Sequence, residues 1–327
     1  MILAGDIGGT KTVLSLLEKI PDGSLKCHQE RTFASAEFLQ FDAVLAAFLP
    51  VDITIDAACF GIAGPVVNQR CQTTNLPWLI DAEALKKQLG TGRVKLLNDL
   101  EAMALGMLHL PADDLLELNS TAHDQTGNIA VIAAGTGLGE ALLYWDGSKH
   151  QPIATEGGHC DFAAQTTQQD LLLAYLRKKY PDHVSYERIL SGIGFSHLYD
   201  FLCECNFAPP CPAVSVISED TDRNAIISRL GINGEDALCV EAVRVFVEIY
   251  GAEASNLALK SFAIGGVFIG GGIAPKILSA MQMGGFMQAF KAKGRFHSLL
   301  NTVSVKVSLN PRTPLLGAIH FWDADKP

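Results

Sequence analysis

Two polar segments of the chain combine residue types that could do chemistry. Leu96–Met103 contains the pair Asn98-Asp99 at the predicted end of a strand and before a helix. One interpretation is a helix cap, because Asn and Asp are favoured at that position. The other is a carboxylate that accepts a proton from a substrate hydroxyl, at the strand end where α/β sheets place their sites. These residues alone leave both interpretations open.

The second segment, Thr155–Phe162, places Glu156 and His159 on either side of two glycines. A carboxylate and an imidazole this close can hydrogen-bond neighbouring hydroxyls of one polyol. A zinc site is the competing interpretation, but it needs further ligands, and none is obvious nearby. Glu187 adds a carboxylate further along, which is either a polar ligand or an ordinary surface residue at a helix start.

Two glycine-rich turns could bind phosphate. GDIGGTKT nearly matches the P-loop pattern, but Thr10 stands at the second required glycine, and a strand-like segment follows where a P-loop opens a helix. AGTGLGEA nearly matches G-x-G-x-x-G, but Glu140 replaces the last glycine. Each is predicted to be a hairpin turn, which either presents N–H groups as an anion-binding nest or only joins strands. Asp6, beside the first turn, could hold Mg²⁺ through water.

The elements that position these groups form a weak internal repeat. Each glycine turn lies between two apolar segments predicted to be strands: Met1–Asp6 with Thr12–Leu17, and Ile129–Ala134 with Ala141–Trp145. The repeat suggests a duplicated α/β nucleotide-binding fold. A further buried strand is predicted over Ile53–Ile62, and a helix over Pro275–Met281 with its proline in the first turn.

Composition limits the class of protein. A chain of 327 residues gives a prior of about two domains. The formal net charge of −10, without a basic cluster, argues against nucleic acid and anionic membranes as partners. Scattered cysteines suit a reducing compartment, and neither a signal peptide nor a membrane-spanning run is found, so a cytoplasmic protein is expected.

A zinc site from Cys203, Cys205 and Cys211 with His197 is disfavoured by the prolines around Cys211.

Taken together, these motifs resemble the bacterial glucokinase family, a branch of the actin-like, ribonuclease-H-like sugar kinases. The matching segments cover essentially the whole chain, in the order LAGDIGGTKT, CFGIAGPV, TTNLPW, LLNDLEAMALG, AAGTGLGEALL, EGGHCDFA, ERILSG, GGVFIGGGIAPKIL, KGRF and PLLGAI. The resemblance implies a duplicated α/β, ribonuclease H-like (actin-like ATPase) fold with two domains around a cleft. We expect residues 1–109 with 311–327 in a small domain and residues 110–310 in a large one.

The resemblance also implies roles for individual residues in the ATP-dependent phosphorylation of the glucose 6-hydroxyl. Asp99 is the expected catalytic base. The expected sugar ligands are Asn75, Asn98, Asp99, Glu156, His159 and Glu187. The expected nucleotide ligands are Asp6, Gly8, Gly9, Thr10 and Lys11 in a first phosphate loop, Gly135, Thr136 and Gly137 in a second, and Gly192, Gly270, Gly271 and Gly272 near the nucleoside. ATP and Mg²⁺ are the expected cofactors, with Mg²⁺ near Asp6, and a homodimer is expected.

Several alternatives stay open. Lys11 and Thr12 bring the first loop closer to the repressor–open-reading-frame–kinase (ROK) relatives, but Cys203 comes 44 residues after His159, which is not the spacing of their zinc motif. Some relatives accept other hexoses, so a mannose, fructose or N-acetylglucosamine kinase is one alternative. A non-kinase actin-like ATPase is another, and a sugar-sensing repressor is disfavoured because the loop starts at Asp6. The choice among ATP, ADP and polyphosphate as donor is not encoded in the glycine turns.

Overall fold

The computed structural model describes residues 1–21, 23–215 and 221–322. The strands within the described residues are β1 Ile2–Ile7, β2 Lys11–Lys19, β3 Leu25–Ala34, β4 Ala57–Ile62, β5 Arg70–Gln72, β6 Leu79–Asp81, β7 Val94–Asn98, β8 Leu115–Glu117, β9 Ile129–Ala134, β10 Leu138–Trp145, β11 His150–Ala154, β12 Gly266–Gly270 and β13 Val305–Ser308. The α-helices are α1 Phe41–Phe48, α2 Ala82–Leu89, α3 Asp99–Met107, α4 Thr167–Lys179, α5 Gly192–Glu204, α6 Pro212–Ser215, α7 Arg223–Ile232, α8 Ala237–Ser261, α9 Leu278–Gln282, α10 Gly285–Lys291, α11 His297–Leu300 and α12 Thr313–His320.

The chain folds as two compact units. Unit 1 comprises Met1–Asp114, Asp146–Ala154 and Asn310–Pro327, and unit 2 comprises Leu115–Trp145 and Thr155–Leu309. The C-terminal segment therefore packs with the N-terminal part of the chain, and each unit is described by itself below.

The main sheet of unit 1 has the strand order β3-β2-β1-β4-β7. Strands β1 and β2 form an antiparallel hairpin, whereas β1, β4 and β7 run parallel. Every residue of β4 is buried, because a central strand of this sheet is covered on both faces. Phe41, Phe60 and Trp78 lie in the apolar core on one face, and α3 with α12 covers the other.

In unit 2, consecutive sheet strands follow the order β10-β9-β12-β13-β8. Strands β9 and β10 form an antiparallel hairpin, β9 runs parallel to β12, and β12 runs parallel to β13. The 25-residue helix α8 is buried along most of its length. It is the central helix of the unit 2 core, packed against α5, α7 and α10.

Both units share one plan, in which a hairpin is followed by two parallel strands: β2-β1-β4-β7 in unit 1 and β10-β9-β12-β13 in unit 2. The predicted internal repeat is therefore present in the structure, and each predicted glycine turn lies within its hairpin. Among the described residues, no helix combines the length and apolar character needed to cross a membrane.

Two predicted elements differ from those observed. The helix predicted over Pro275–Met281 is wrong at its start, because residues 271–277 form successive turns and α9 begins only at Leu278. In these turns the N–H groups of Lys276 and Ile277 both donate to the Ile273 carbonyl, at 2.9 and 3.1 Å. The strand predicted over Ile53–Ile62 is also too long, since β4 begins at Ala57.

Candidate active site

The first glycine turn joins β1 to β2 and is fastened by a serine from outside the hairpin. The Gly8 N–H donates to the Lys11 carbonyl at 2.9 Å. The Ser35 hydroxyl donates to the Gly8 carbonyl at 2.8 Å, and the Ser35 N–H donates to the Thr10 carbonyl at 3.0 Å. The predicted hairpin turn is therefore confirmed, and its role in phosphate binding stays a prediction.

Asn75 lies against this first turn. A Cβ atom added to Gly9 would fall 2.9 Å from the Asn75 Cβ, so the close approach depends on glycine. The structure thus brings a predicted sugar ligand next to a predicted phosphate loop inside unit 1. Sequence reasoning did not predict this contact or the one from Ser35, because neither residue is near the turn in the chain.

Asp6 fits the expected magnesium role. Burial raises the pKa of its carboxyl, and the Lys11 ammonium opposes that shift. A cation beside this carboxylate would offset the cost of burying its charge. Within the described residues, no cluster of three or more His, Cys, Asp or Glu side chains could hold a metal ion. Because Mg²⁺ usually binds only one or two carboxylates and keeps several waters, a single buried carboxyl is compatible with the predicted ion, and the magnesium site stays a prediction.

The pair Asn98-Asp99 lies where β7 gives way to α3. The Asn98 side-chain oxygen accepts the Glu101 N–H at 2.6 Å, and the Glu101 carboxylate accepts the Asn98 N–H at 2.9 Å. This capping box confirms the helix-cap interpretation for Asn98. Asp99 is the first residue of α3, and its Oδ1 accepts the Leu100 N–H at 3.0 Å. The predicted base therefore lies at the helix N-terminus, where a negative charge is stabilised.

Helix α3 is anchored by direct backbone contact with α12. A Cβ on Gly106 would fall 1.9 Å from the Thr313 carbonyl oxygen, and one on Gly317 would fall 1.8 Å from the Ala102 carbonyl oxygen. Two glycines therefore let the helices approach more closely than any other residue would permit. This packing fixes the helix that carries Asp99.

In unit 2, Glu187 and His159 meet at the second glycine turn. Glu187 lies in a short 3₁₀ helix, and its Oε2 accepts the Leu138 N–H at 3.0 Å. Its Oε1 is 4.0 Å from His159 Nε2. A Cβ on Gly137 would fall only 2.4 Å from Glu187 Oε2, so the glycine makes room for the carboxylate. The side chains of Glu187 and His159 are 28% and 58% exposed, which leaves both accessible to a ligand.

Glu156 is exposed and directly precedes the 3₁₀ helix 157–159, where its carbonyl accepts the His159 N–H at 3.0 Å. The backbone of the glycine pair between these residues packs directly against the backbone of β10. A Cβ on Gly158 would fall 2.0 Å from the Leu138 carbonyl oxygen. The glycines thus place Glu156 and His159 at the surface while the backbone between them packs against the sheet.

A cavity of about 720 Å³ opens in unit 2 beside the second turn. Four of its lining residues are predicted nucleotide ligands: Gly135, Thr136, Gly192 and Gly272. Gly192 begins α5, and its N–H donates to the Gly135 carbonyl at 2.8 Å. The cavity therefore lies at a helix N-terminus, where backbone N–H groups and the helix dipole favour an anion.

Sequence reasoning missed most of the cavity wall. The remaining lining residues are Phe195, Asp222, Asn224, Ala225, Ser228, Arg229, Ile232, Asn233, Ile273, Lys276 and Ile277. The spacing of some of these residues could have indicated a shared surface, because Ala225, Ser228, Arg229 and Ile232 recur at the interval that places residues on one face of α7.

Gly270 and Gly271, also predicted nucleotide ligands, do not line the cavity, since both pack against β9. Gly271 has φ +82°, and its Cβ would fall 2.3 Å from the Ala134 carbonyl oxygen.

Both ring nitrogens of His197 have partners in the core, so this residue is not available as a zinc ligand beside the cysteines. Its Nδ1 lies 2.7 Å from the Arg188 carbonyl oxygen, and its Nε2 lies 3.1 Å from the Tyr180 hydroxyl. Burial lowers the pKa of this imidazole, with partial opposition from the Arg188 carbonyl. His197 is therefore a hydrogen-bonded core histidine, and all eight cysteines are free thiols.

Comparison with known proteins decides the family. The glucokinase family model matches residues 3–325. The chain belongs to the glucokinase family. It is 38% identical to a glucokinase of Nostoc sp. (strain PCC 7120), over 97% of each chain. Its fold is similar to the crystal structure of a glucokinase from an Antarctic psychrotroph, with a TM-score of 0.86, 31% identity and 99% coverage of both chains.

A more distant structure has the same fold. It is a ROK family glucokinase from Streptomyces griseus in complex with glucose and AMPPNP, with a TM-score of 0.65, 19% identity and 98% coverage of both chains. Together with the repeated strand order, these neighbours confirm the predicted actin-like, duplicated α/β fold. The individual ligand assignments stay predictions.

Proposed function

We propose that the protein transfers the γ-phosphoryl group of ATP to the 6-hydroxyl of D-glucose, and so supplies glucose 6-phosphate to glycolysis. The observation that carries the proposal is the family match over residues 3–325. Glucokinase relatives at 38% identity and a solved glucokinase at 31% identity support it across nearly the full chain. The ATP analogue in the Streptomyces structure supports ATP as the donor.

In this proposal, Asp99 is the catalytic base. It accepts the proton of the 6-hydroxyl while that oxygen attacks the γ-phosphorus and ADP leaves. Phosphoryl transfer depends mainly on positioning, and the capping box at Asn98 and the α3–α12 glycine contacts support a fixed position for this carboxylate.

The proposed ligands of the sugar hydroxyls are five polar side chains: Asn75, Asn98, Glu156, His159 and Glu187. Glu187 is already oriented by the hydrogen bond from the Leu138 N–H, and its Oε1 lies 4.0 Å from His159 Nε2. A site built from fixed hydrogen-bonding groups rejects a sugar that lacks a matching hydroxyl, because the unmatched group is left unpaired. This is the basis on which we expect a preference for glucose.

The nucleotide occupies the cavity of unit 2, whose volume lies in the range of about 300–1,000 Å³ typical of ligand pockets. Gly135, Thr136, Gly192 and Gly272 would contact it. The loop from Gly8 to Lys11 is the other proposed phosphate-binding loop. Mg²⁺, when bound beside Asp6, would neutralise charge on the phosphate oxygens. Backbone N–H groups, Lys11 and the ion together would allow an acidic protein to bind a triphosphate.

The remaining expectations belong to the same proposal. We infer a homodimer in the cytoplasm, with a small domain of residues 1–109 and 311–327 and a large domain of residues 110–310. The mass of the particle by sedimentation velocity tests the dimer, because a 35.1 kDa species at micromolar concentration would contradict it.

A substrate panel tests the proposed reaction. Initial rates of phosphoryl transfer are measured with glucose, mannose, fructose and N-acetylglucosamine, each with ATP, ADP and polyphosphate as donor. We expect the highest kcat/KM for glucose with ATP. A higher value for another hexose or donor would reassign the substrate within the family, and ATP hydrolysis that ignores sugar would indicate a non-kinase ATPase.

A further inference from the structure

A buried carboxyl that the proposed reaction does not use lies directly beneath the loop of residues 156–159. Glu140, on β10, is only 1% exposed, and a Cβ on Gly157 would fall 2.0 Å from its Oε2. The Glu140 carbonyl accepts the Thr155 hydroxyl at 2.9 Å, and the Thr155 oxygen accepts the Gly157 N–H at 3.1 Å. Glu140 therefore contacts the loop through both its side chain and its backbone.

Three side chains of helix α8 interact electrostatically with Glu140: Glu253, Lys260 and Tyr250. Glu253 is fully buried, and Oε1 of Glu140 and Oε1 of Glu253 both lack a hydrogen-bond partner among the described residues. Lys260 lies 3.7 Å from Glu253, and the Tyr250 hydroxyl accepts the Ala134 N–H at 3.2 Å. Within the described part of the chain, Lys260 thus pairs with Glu253, whereas Glu140 forms no ion pair.

Glu253 also connects to the segment that carries Glu187, the other carboxylate on this unit that is assigned to sugar binding. Its Oε2 accepts the Asn256 amide at 2.8 Å, and that amide also donates to the Tyr186 hydroxyl at 3.0 Å. Lys293 donates to the Asn256 side-chain oxygen at 2.6 Å. Tyr186 directly precedes Glu187 in the chain, so one polar cluster lies behind both predicted sugar-binding segments.

The environment of Glu140 favours its neutral form. Burial, followed by the charge of Glu253, raises the pKa of Glu140 to about 8, and Lys260 opposes the shift. A neutral carboxyl can stay packed against Gly157. An ionised one requires a partner or water, because a buried unpaired charge is costly. The loop at Gly157 is in direct contact with the carboxyl, so hydration of Glu140 would displace that loop.

We propose that Glu140 is a positioning residue for the loop that carries Glu156 and His159, and that it acts in its protonated form. The inference rests on the proposed sugar phosphorylation, because the loop is assigned to sugar binding there. Glu140 itself contacts no substrate. Its carboxyl packs against Gly157, and so determines how far Glu156 and His159 lie from strand β10.

The test is the pH dependence of the glucose KM in the full-length protein. KM and kcat are measured from pH 6 to 9 for the wild type, Glu140→Gln and the exposed control Glu204→Gln. If only the neutral form positions the loop, the wild-type KM rises about tenfold between pH 7 and pH 9, because the competent fraction falls by that factor. Glu140→Gln keeps the neutral shape, so its KM stays within about threefold of the wild-type value at pH 6–7 and remains flat to pH 9.

One control and one substitute variant make the comparison specific. Glu204→Gln should follow the wild-type profile, and Glu140→Met, which is neutral and similar in length, should show the flat profile if Glu140→Gln fails to fold. In each variant, kcat at saturating glucose should change less than twofold. An alkaline rise in KM that Glu140→Gln shares, or a KM more than tenfold above wild type at pH 6–7 in this variant, overturns the proposal.

Thermal unfolding separates this inference from the proposed reaction. Because the folded-state pKa of Glu140 is raised, its contribution to stability is full below the unfolded value of about 4.5 and is lost as pH rises through about 8. The Tm of Glu140→Gln should therefore fall less between pH 6 and pH 9 than the Tm of the wild type does. Equal losses would contradict a protonated Glu140. A wild-type protein without sugar-dependent ADP release would instead contradict the proposed function, whatever the melting curves show.

Discussion

Replacing Gly137 with alanine should weaken sugar binding although no predicted sugar ligand is changed. The new Cβ would fall 2.4 Å from Glu187 Oε2. Ordinary van der Waals contact begins at 3.4 Å, so the carboxylate must retreat by about 1 Å. The same oxygen accepts the Leu138 N–H at 3.0 Å, and a shift of this size breaks that hydrogen bond.

The size of the effect follows from two independent considerations. A hydrogen bond to a charged group contributes about 1.5–3 kcal/mol, and about 1.4 kcal/mol corresponds to a tenfold change in an equilibrium constant. Misplacing a binding group by about 1 Å can cost ~100-fold in rate. We therefore expect kcat/KM for glucose to fall by about 10- to 100-fold in Gly137→Ala, mostly through a higher glucose KM.

The assay is steady-state kinetics with varied glucose at saturating ATP. Gly135→Ala is a matched control in the same turn, because a Cβ there meets no protein atom within 4 Å. This control should keep the wild-type glucose KM, and any change should appear in the ATP KM, since Gly135 lines the cavity. A glucose KM within twofold of wild type in Gly137→Ala, or an equal rise in the control, would refute the role argued for Glu187.

Three further substitutions test other parts of the account. Asp99→Asn should lower kcat by about 10²- to 10⁴-fold, while calorimetry finds glucose affinity nearly unchanged; turnover within a few-fold of wild type would mean that Asp99 is not the base. His159→Ala should raise the glucose KM about fivefold through the loss of one hydrogen bond, and an unchanged KM would remove it from the sugar site. Gly106→Ala forces a Cβ to within 1.9 Å of the Thr313 carbonyl oxygen, and should lower the free energy of unfolding in urea by about 1–3 kcal/mol. Gly92→Ala, whose Cβ would meet no atom within 4 Å, should leave this free energy nearly unchanged, and equal effects of the two alanines would contradict the packing argument.

Local patterns were sufficient to predict the hairpins and their glycine turns. Apolar segments on either side of Gly8 and of Gly135 predicted β-strands, and the structure has β1 with β2 and β9 with β10 at these places. The pair Asn98-Asp99 allowed a cap or a functional carboxylate, and the structure confirms the cap at Asn98. These features depend on neighbours in the chain, which is why the sequence alone reveals them.

Long-range contacts could not be predicted in this way. The approach of Asn75 to Gly9, the Ser35 hydrogen bonds and the glycine contact between α3 and α12 join segments far apart in sequence. The helix start at Leu278 was also missed, because Pro275 suits the first turn of a helix but here lies in a series of turns. In the sequence, Glu140 stands out only because it replaces the last glycine of a G-x-G-x-x-G pattern, since its burial against Gly157 depends on the folded loop.

Identification of the phosphorylated product tests the central claim most directly. The protein is incubated with ATP, Mg²⁺ and D-glucose, and the sugar product is analysed by ³¹P and ¹³C NMR. The account predicts one mole of glucose 6-phosphate for each mole of ADP, and no ADP release when glucose is omitted. Phosphate on another carbon of the sugar, or equal ADP release with and without glucose, would contradict it.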